Sequence, residues 1–94
     1  MPLNTVISHS VFFQVTLGAG ATPISATSLV SNLIIIQNNT GHTTRVGDST
    51  VTTGLGIVVT ATPLVLGPFA INDADLSGLY IAGTQGDKID VLVL

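Results

Sequence analysis

The sequence contains no cysteine, no tryptophan and no glutamate. Without cysteine there is no disulfide and no thiolate metal site, and the redox compartment is left open. Without glutamate the commonest general acid–base pairs of enzymes are missing. Charge is scarce as well: 7% of residues are charged, against roughly 25% in an average soluble protein. With two basic residues and a net charge of −3, no cluster of Lys and Arg can neutralise phosphates, which argues against nucleic acid as a partner. The same charge is too small to steer a cationic partner strongly. Long apolar runs are absent too. None exceeds four residues, as in LIII at 33–36, far short of the ~20 residues a membrane span needs. The opening MPLNTVISHS has no basic segment followed by a long apolar one, so it does not read as a secretion signal, and folding in a cytoplasm is expected.

What is present is apolar and uncharged polar. Ninety-four residues make one domain, 1–94, with a core large enough to fold on a thin margin. Hydrophobic residues are 46% of the chain, and those between them are mostly Thr, Ser and Asn. Area scaling gives a folded surface of about 5,000 Å², or roughly one charge per 700 Å². So few charges protect little against self-association, and much of the surface is expected to be covered by other subunits.

The dominant period is two, and Val, Ile and Thr recur as strands prefer. VISHSVFFQVTL puts Ile7, His9, Val11, Phe13, Val15 and Leu17 on one face. Val6, Ser8, Ser10, Phe12, Gln14 and Thr16 share the other, so each face carries one misfit. GAGATP breaks the pattern. Leu33 to Ile36 is apolar on both faces, which predicts a central strand covered on both sides. NTGH reads as a turn, in which Asn39 and Gly41 can take left-handed conformations. Short strands are expected around Thr43–Val46 and Val51–Thr53. IVVTAT and PLVLGPF read as two strands, or one strand bent near Pro63, and Pro63 and Pro68 belong at strand ends or edges. INDADLSG is the one helical turn, with Asp73 or Asp75 as its cap. LYIAGT, QGD and KIDVLVL read as a closing hairpin. Seven to nine short strands with no long helix predict an all-β module: a single antiparallel β-sandwich, jelly roll or small barrel. Residues 1–8 are read as an extended N-terminal arm.

The most chemically loaded stretch is GHTTRVGDST, at 41–50. Ser49, His42 and Asp48 supply the residue types of a hydrolase triad, but GDSTV is not the G-x-S-x-G of a nucleophile elbow. The plainer reading is a hairpin turning at NTGH whose second strand carries Arg45 outward. His9 on the apolar face reads as a hydrogen-bonded core or edge residue. Two histidines without Cys or Glu make no structural zinc site. Asp73 and Asp75 form a D-x-D pair that can bind calcium where more oxygens converge, but NDADLSG fits a capped turn better. GLG at 54–56 lacks the third glycine and the helix of a dinucleotide loop. The chain reads as a non-enzyme with no catalytic residue, cofactor or metal.

From about Thr22 to Leu94 the chain resembles a group of small bacteriophage and prophage virion proteins. The resemblance rests on PISATSLVSNLIIIQNNTGHTTRVGDSTVTTGLGIVV, then LGPF, then LYIAGTQGDKIDVLVL. It implies a structural virion protein of a tailed bacteriophage, made in the bacterial host cytoplasm, that decorates or cements the capsid. The implied partners are the major capsid protein or another virion protein, and copies of itself, with a homotrimer as the implied assembly. The first twenty residues lie outside the resemblance. The alternative is a tail, adaptor or fibre-associated β-module that binds another virion protein or a host-surface glycan. Sugar stacking wants exposed aromatics, and only Phe12, Phe13, Phe69 and Tyr80 are present.

The chain end adds a residue-level expectation. In KIDVLVL, Ile89, Val91 and Val93 share one face and should point into the core. The opposite face runs Lys88, Asp90, Leu92, Leu94, so it starts charged and ends apolar. A partner surface over Leu92 and Leu94 explains the switch. The competing cover is the chain's own N-terminal segment near Leu3. Arg45 is the only guanidinium available for a bidentate pair, with Asp48 or a neighbouring subunit as its expected partner. The candidate interface residues are therefore Leu3, Phe12, Arg45, Asp48, Leu92 and Leu94.

Overall fold

The computed structural model describes residues 10–69 and 74–94. Leu3, His9, Asp73 and the proposed arm at 1–8 lie outside them. The alternating segments form strands where the period predicts. They are β1 (Val11–Thr16), β2 (Thr22–Pro23), β3 (Val30–Ser31), β4 (Ile34–Gln37), β5 (Thr44–Gly47), β6 (Ile57–Val59), β7 (Leu64–Leu66), β8 (Ala74–Asp75), β9 (Tyr80–Ala82) and β10 (Lys88–Val93). A 3-10 turn, Leu76–Gly78, follows β8. Its cap is Asp75, whose carboxylate accepts the amide of Ser77 at 3.0 Å.

The pairing follows one rule. β1 pairs with β10, β2 with β9, β3 with β8, β4 with β7 and β5 with β6, all antiparallel. The described chain is thus one long hairpin, with its tip between β5 and β6, rolled up on itself. Two further pairings, β10 with β4 and β5 with β9, join the rolled layers. They produce a first sheet of order β1-β10-β4-β7 and a second of order β2-β9-β5-β6, with β3-β8 as a separate ribbon. With the ribbon left out, this is the strand order of a jelly roll.

The two sheets enclose the core. Ile34, Ile36, Ile89 and Val91 from the first sheet and Ile81 from the second are fully buried, as is Leu76 from the 3-10 turn. Val15, Leu17, Ile24, Val46, Val59 and Val93 complete the cluster. Each such side chain contributes about 1.5–3 kcal/mol on burial. The inward face read for KIDVLVL is correct: Ile89, Val91 and Val93 are all buried.

Five sequence-level expectations change. Residues 51–53 are not a strand: the amide of Val51 donates to the Asp48 carbonyl at 3.0 Å, and Thr52 and Leu55 bond each other across a tight turn. LYIAGT and KIDVLVL do not pair, because β9 and β10 lie in different sheets. The same holds for the strands on either side of NTGH, β4 and β5. A short glycine-containing turn can return the chain to a neighbouring strand or carry it ~10 Å to the facing sheet, and the local sequence is the same for both. In NTGH it is Gly41 that takes positive φ, and no non-glycine residue does so among those described. Finally, β4 is central in its sheet, but only its inward residues Ile34 and Ile36 are buried, while Ile35 is partly exposed.

Gly56 closes the hairpin tip at a φ of +140°. A Cβ there would stand 2.6 Å from Cγ2 of Val51 and 3.0 Å from the carbonyl oxygen of Val46. Only glycine allows that approach.

Candidate interaction surface

The outward face of the first sheet is divided by its register. Phe12 stands opposite Leu92, Leu92 opposite Ile35, and Ile35 opposite Val65. Residues opposite each other in an antiparallel pair share a face, so these four form one apolar row across all four strands. Phe12 is 63% exposed, Val65 52% and Leu94, at the chain end beside the row, 43%. Leu92 and Ile35 are half-buried beneath them. The next outward row is polar: Gln14, Asp90 and Gln37 face one another. Gln14 donates to Asp90 Oδ1 at 2.8 Å and Asn39 to its Oδ2 at 3.1 Å. Beyond it, Lys88 donates to Thr16 Oγ1 at 3.0 Å. One end of this face is therefore greasy and the other wet.

Of the six candidate interface residues, this surface gathers Phe12, Leu92 and Leu94. Leu3 is outside the described residues. Arg45 and Asp48 are elsewhere, on the second sheet and the tip. Ile35 and Val65 were not singled out from sequence. Their signal was the apolar outward position in LIII and in PLVLGPF, but only the register shows that the two line up with Phe12 and Leu92.

Arg45 lies on the outward side of β5, opposite Val58 and Ala82. Its guanidinium does not meet Asp48. Nε donates to the Thr53 carbonyl at 2.9 Å and Nη1 to the Gly56 carbonyl at 2.8 Å. It is a staple that closes the hairpin tip. Asp48 caps the start of that tip through the hydroxyl and amide of Thr50, which hold its carboxyl below the usual range. Next to the staple, Leu55, Ile57 and Val58 are 62%, 58% and 45% exposed, a second apolar patch on the edge of the second sheet.

The triad types of GHTTRVGDST are not brought together. His42 and Ser49 flank opposite ends of β5, and the His42 ring bonds Asp87 through Nδ1 at 2.7 Å rather than Asp48. His42 lines a groove of about 470 Å³ with Asn38, Asn39, Thr43 and residues 58–61. Asn38, buried beside this groove, is the residue that orders it. Its Nδ2 donates to the carbonyls of His42 and Val59, and its Oδ1 accepts from the amide and hydroxyl of Thr40. Nothing in QNNT separates Asn38 from Asn39 by sequence.

Asp75 is committed to structure. Its carboxylate accepts from the Ser28 hydroxyl, the Ser77 amide and hydroxyl, and the Leu29 amide. Those donors, Ser28 first, hold the carboxyl well below the usual carboxylate range. Both oxygens are occupied by donors of the chain itself, which ties the segment before β3 to the 3-10 turn. Among the described residues no group of three or more His or Asp converges as metal ligands, and no helix is long and apolar enough to cross a membrane. Comparisons with protein-family models, curated proteins and solved structures find no match for this chain.

Proposed function

We propose that the chain is a structural protein of a tailed-bacteriophage virion, which decorates or cements the capsid by binding the major capsid protein and further copies of itself. The observation that carries the reading is the apolar row Phe12–Leu92–Ile35–Val65, continued by Leu94, on the outward face of a sheet. An exposed apolar stripe with a polar rim is what a protein-binding surface presents. The scarcity of charge and the resemblance to small virion proteins point the same way. The jelly roll is compatible with it, since viral capsid domains use this architecture. Lectins and cupins use it as well, so the fold by itself selects no function.

The glycan-binding alternative is less well supported by the same surface. Phe12 is the one strongly exposed aromatic among the described residues, and its neighbours in the row are aliphatic. A sugar site needs hydrogen-bonding groups beside its aromatic platform. The test is cosedimentation of the purified protein with shells of the major capsid protein. Saturable binding that weakens in a Leu92→Ser, Leu94→Ser variant is expected. No binding to shells, with binding to tails or to host-surface glycans instead, would transfer the assignment to the alternative.

A further inference from the structure

The four edges of the two larger sheets are not guarded alike. An edge strand exposes unpaired N–H and C=O groups, and proteins blunt such edges with proline, charge or brevity. The edge strand β7 is three residues long and sits between Pro63 and Pro68. The edge strand β2 has two residues, one of them Pro23. The edge strand β6 has three, and the carbonyl of Val59 is already taken by Asn38. The remaining edge, β1, runs for six residues, VFFQVT, with no proline, no glycine and no charge. Its side chains are unfinished too. Val11 faces inward, opposite the buried Val93, yet is 47% exposed. Among the described residues no further strand covers it.

We propose that β1 pairs antiparallel with β1 of a second copy about a twofold axis, making one continuous eight-stranded sheet from the two first sheets. The strand is complementary to itself in one register. To bury Val11 and Phe13, the inward side chains of the second copy must meet them, so both cores lie on the same side of the joint sheet. Opposed residues then share inward or outward character. Centred on Phe13, the pairing sets Phe13 against Phe13 of the second copy and Val11 against its Val15, so every inward pair is apolar. Outward, Phe12 meets Gln14 of the second copy and Ser10 meets its Thr16. No like charges meet. Centring on Phe12 leaves Val15 unpaired. Centring on Gln14 gives Val11, the exposed inward residue, no partner within β1.

Backbone directions agree with this register. The Leu17 amide donates to the Asp87 carbonyl at 2.8 Å, on the β10 side. By alternation Val15, Phe13 and Val11 also point their backbone groups at β10. The groups of Ser10, Phe12, Gln14 and Thr16 point out of the sheet, and those are the residues the register joins. A strand pair of this length covers about half of the roughly 800 Å² per partner of a standard interface. An interface of that size makes the dimer a reversible one, so its population depends on concentration. A closed twofold pair replaces the trimer that the resemblance implies.

The test needs no capsid, so its failure is distinct from failure of the virion reading. The mass of the full chain is measured by light scattering from 10 µM to 1 mM, together with amide hydrogen exchange. The expected result is twice 9.6 kDa at the upper end, with slowed exchange at Phe12, Gln14 and Thr16. Gln14→Pro removes an N–H that points away from its own sheet and should give a folded monomer. Gln14→Ala, which keeps that N–H, should remain a dimer. If the proline variant fails to fold, exchange in the native chain decides alone. Three results would overturn the proposal: a monomer at 1 mM, an oligomer whose Phe12, Gln14 and Thr16 amides exchange freely, or a monomer with those amides protected by another part of the same chain.

Discussion

Phe12 and Leu92 stand directly opposite each other on the neighbouring strands β1 and β10, both on the outward face of the first sheet. Residues eighty positions apart in the chain thus form the start of one apolar row, and Leu94 extends the surface at the chain end. Replacing Leu92 and Leu94 with serine removes apolar surface from a face that the single chain leaves partly open. The expected cost to folding is small, about 1–2 kcal/mol, while attachment to a partner weakens by tenfold or more. Thermal unfolding alongside a shell-binding assay separates the two. An unfolded double variant, or one that binds normally, would remove this surface from the account.

Arg45 acts inside its own chain. Arg45→Ala should free the carbonyls of Thr53 and Gly56 and cost about 1–2 kcal/mol. Amide exchange should accelerate at Val51, Thr52 and Leu55, with β10 unaffected. Arg45→Lys should not restore protection, because an ammonium lacks the planar fork that reaches two carbonyls. Unchanged exchange in the tip would contradict the staple.

Thr44 is fully buried, and its hydroxyl has no hydrogen-bond partner. A buried donor left unpaired costs more than an apolar group of the same shape. Thr44→Val should therefore raise stability by about 1 kcal/mol in urea unfolding. A loss of stability would mean that the hydroxyl is paired in solution.

Much of this was legible in the sequence, and the limits have physical causes. Alternation in VFFQVT and KIDVLVL placed the inward and outward residues of β1 and β10 correctly, because burial on one face is a local signal. The turn in INDADLSG was legible as well, with Asp73 or Asp75 as its cap, and Asp75 fills that place. What did not follow was partnership. QGD and NTGH turn the chain, but whether it returns to the same sheet or crosses to the other depends on how the long hairpin rolls. Ile35 and Val65 joined the surface only through register, and Arg45 found carbonyls eight and eleven residues onward instead of the nearby carboxylate. The segment 51–53 looks like a strand by composition, but Gly54 and Gly56 permit the tighter turn that Thr52 and Leu55 close.

The carboxyl of Asp75 is held well below its ordinary range, by the Ser28 hydroxyl before the other donors. A depressed folded value means that the stabilisation is fully present above the unfolded value of roughly 4 and is lost as pH falls through the folded one. Asp48 shifts in the same direction. Stability should be flat from neutral pH to about 4 and decline below it. Asp75→Asn keeps one acceptor oxygen and cannot titrate, so it should be less stable at neutral pH and show a shallower acid decline. Parallel acid curves for the two proteins would contradict the assignment.

A structural place for this chain in the virion is read by immunogold electron microscopy of purified phage particles with an antibody against the chain. Label is expected in a regular array over the capsid surface, lost from particles assembled without the chain. Particles that carry no label, while the chain stays in the soluble fraction of the host lysate, would contradict it.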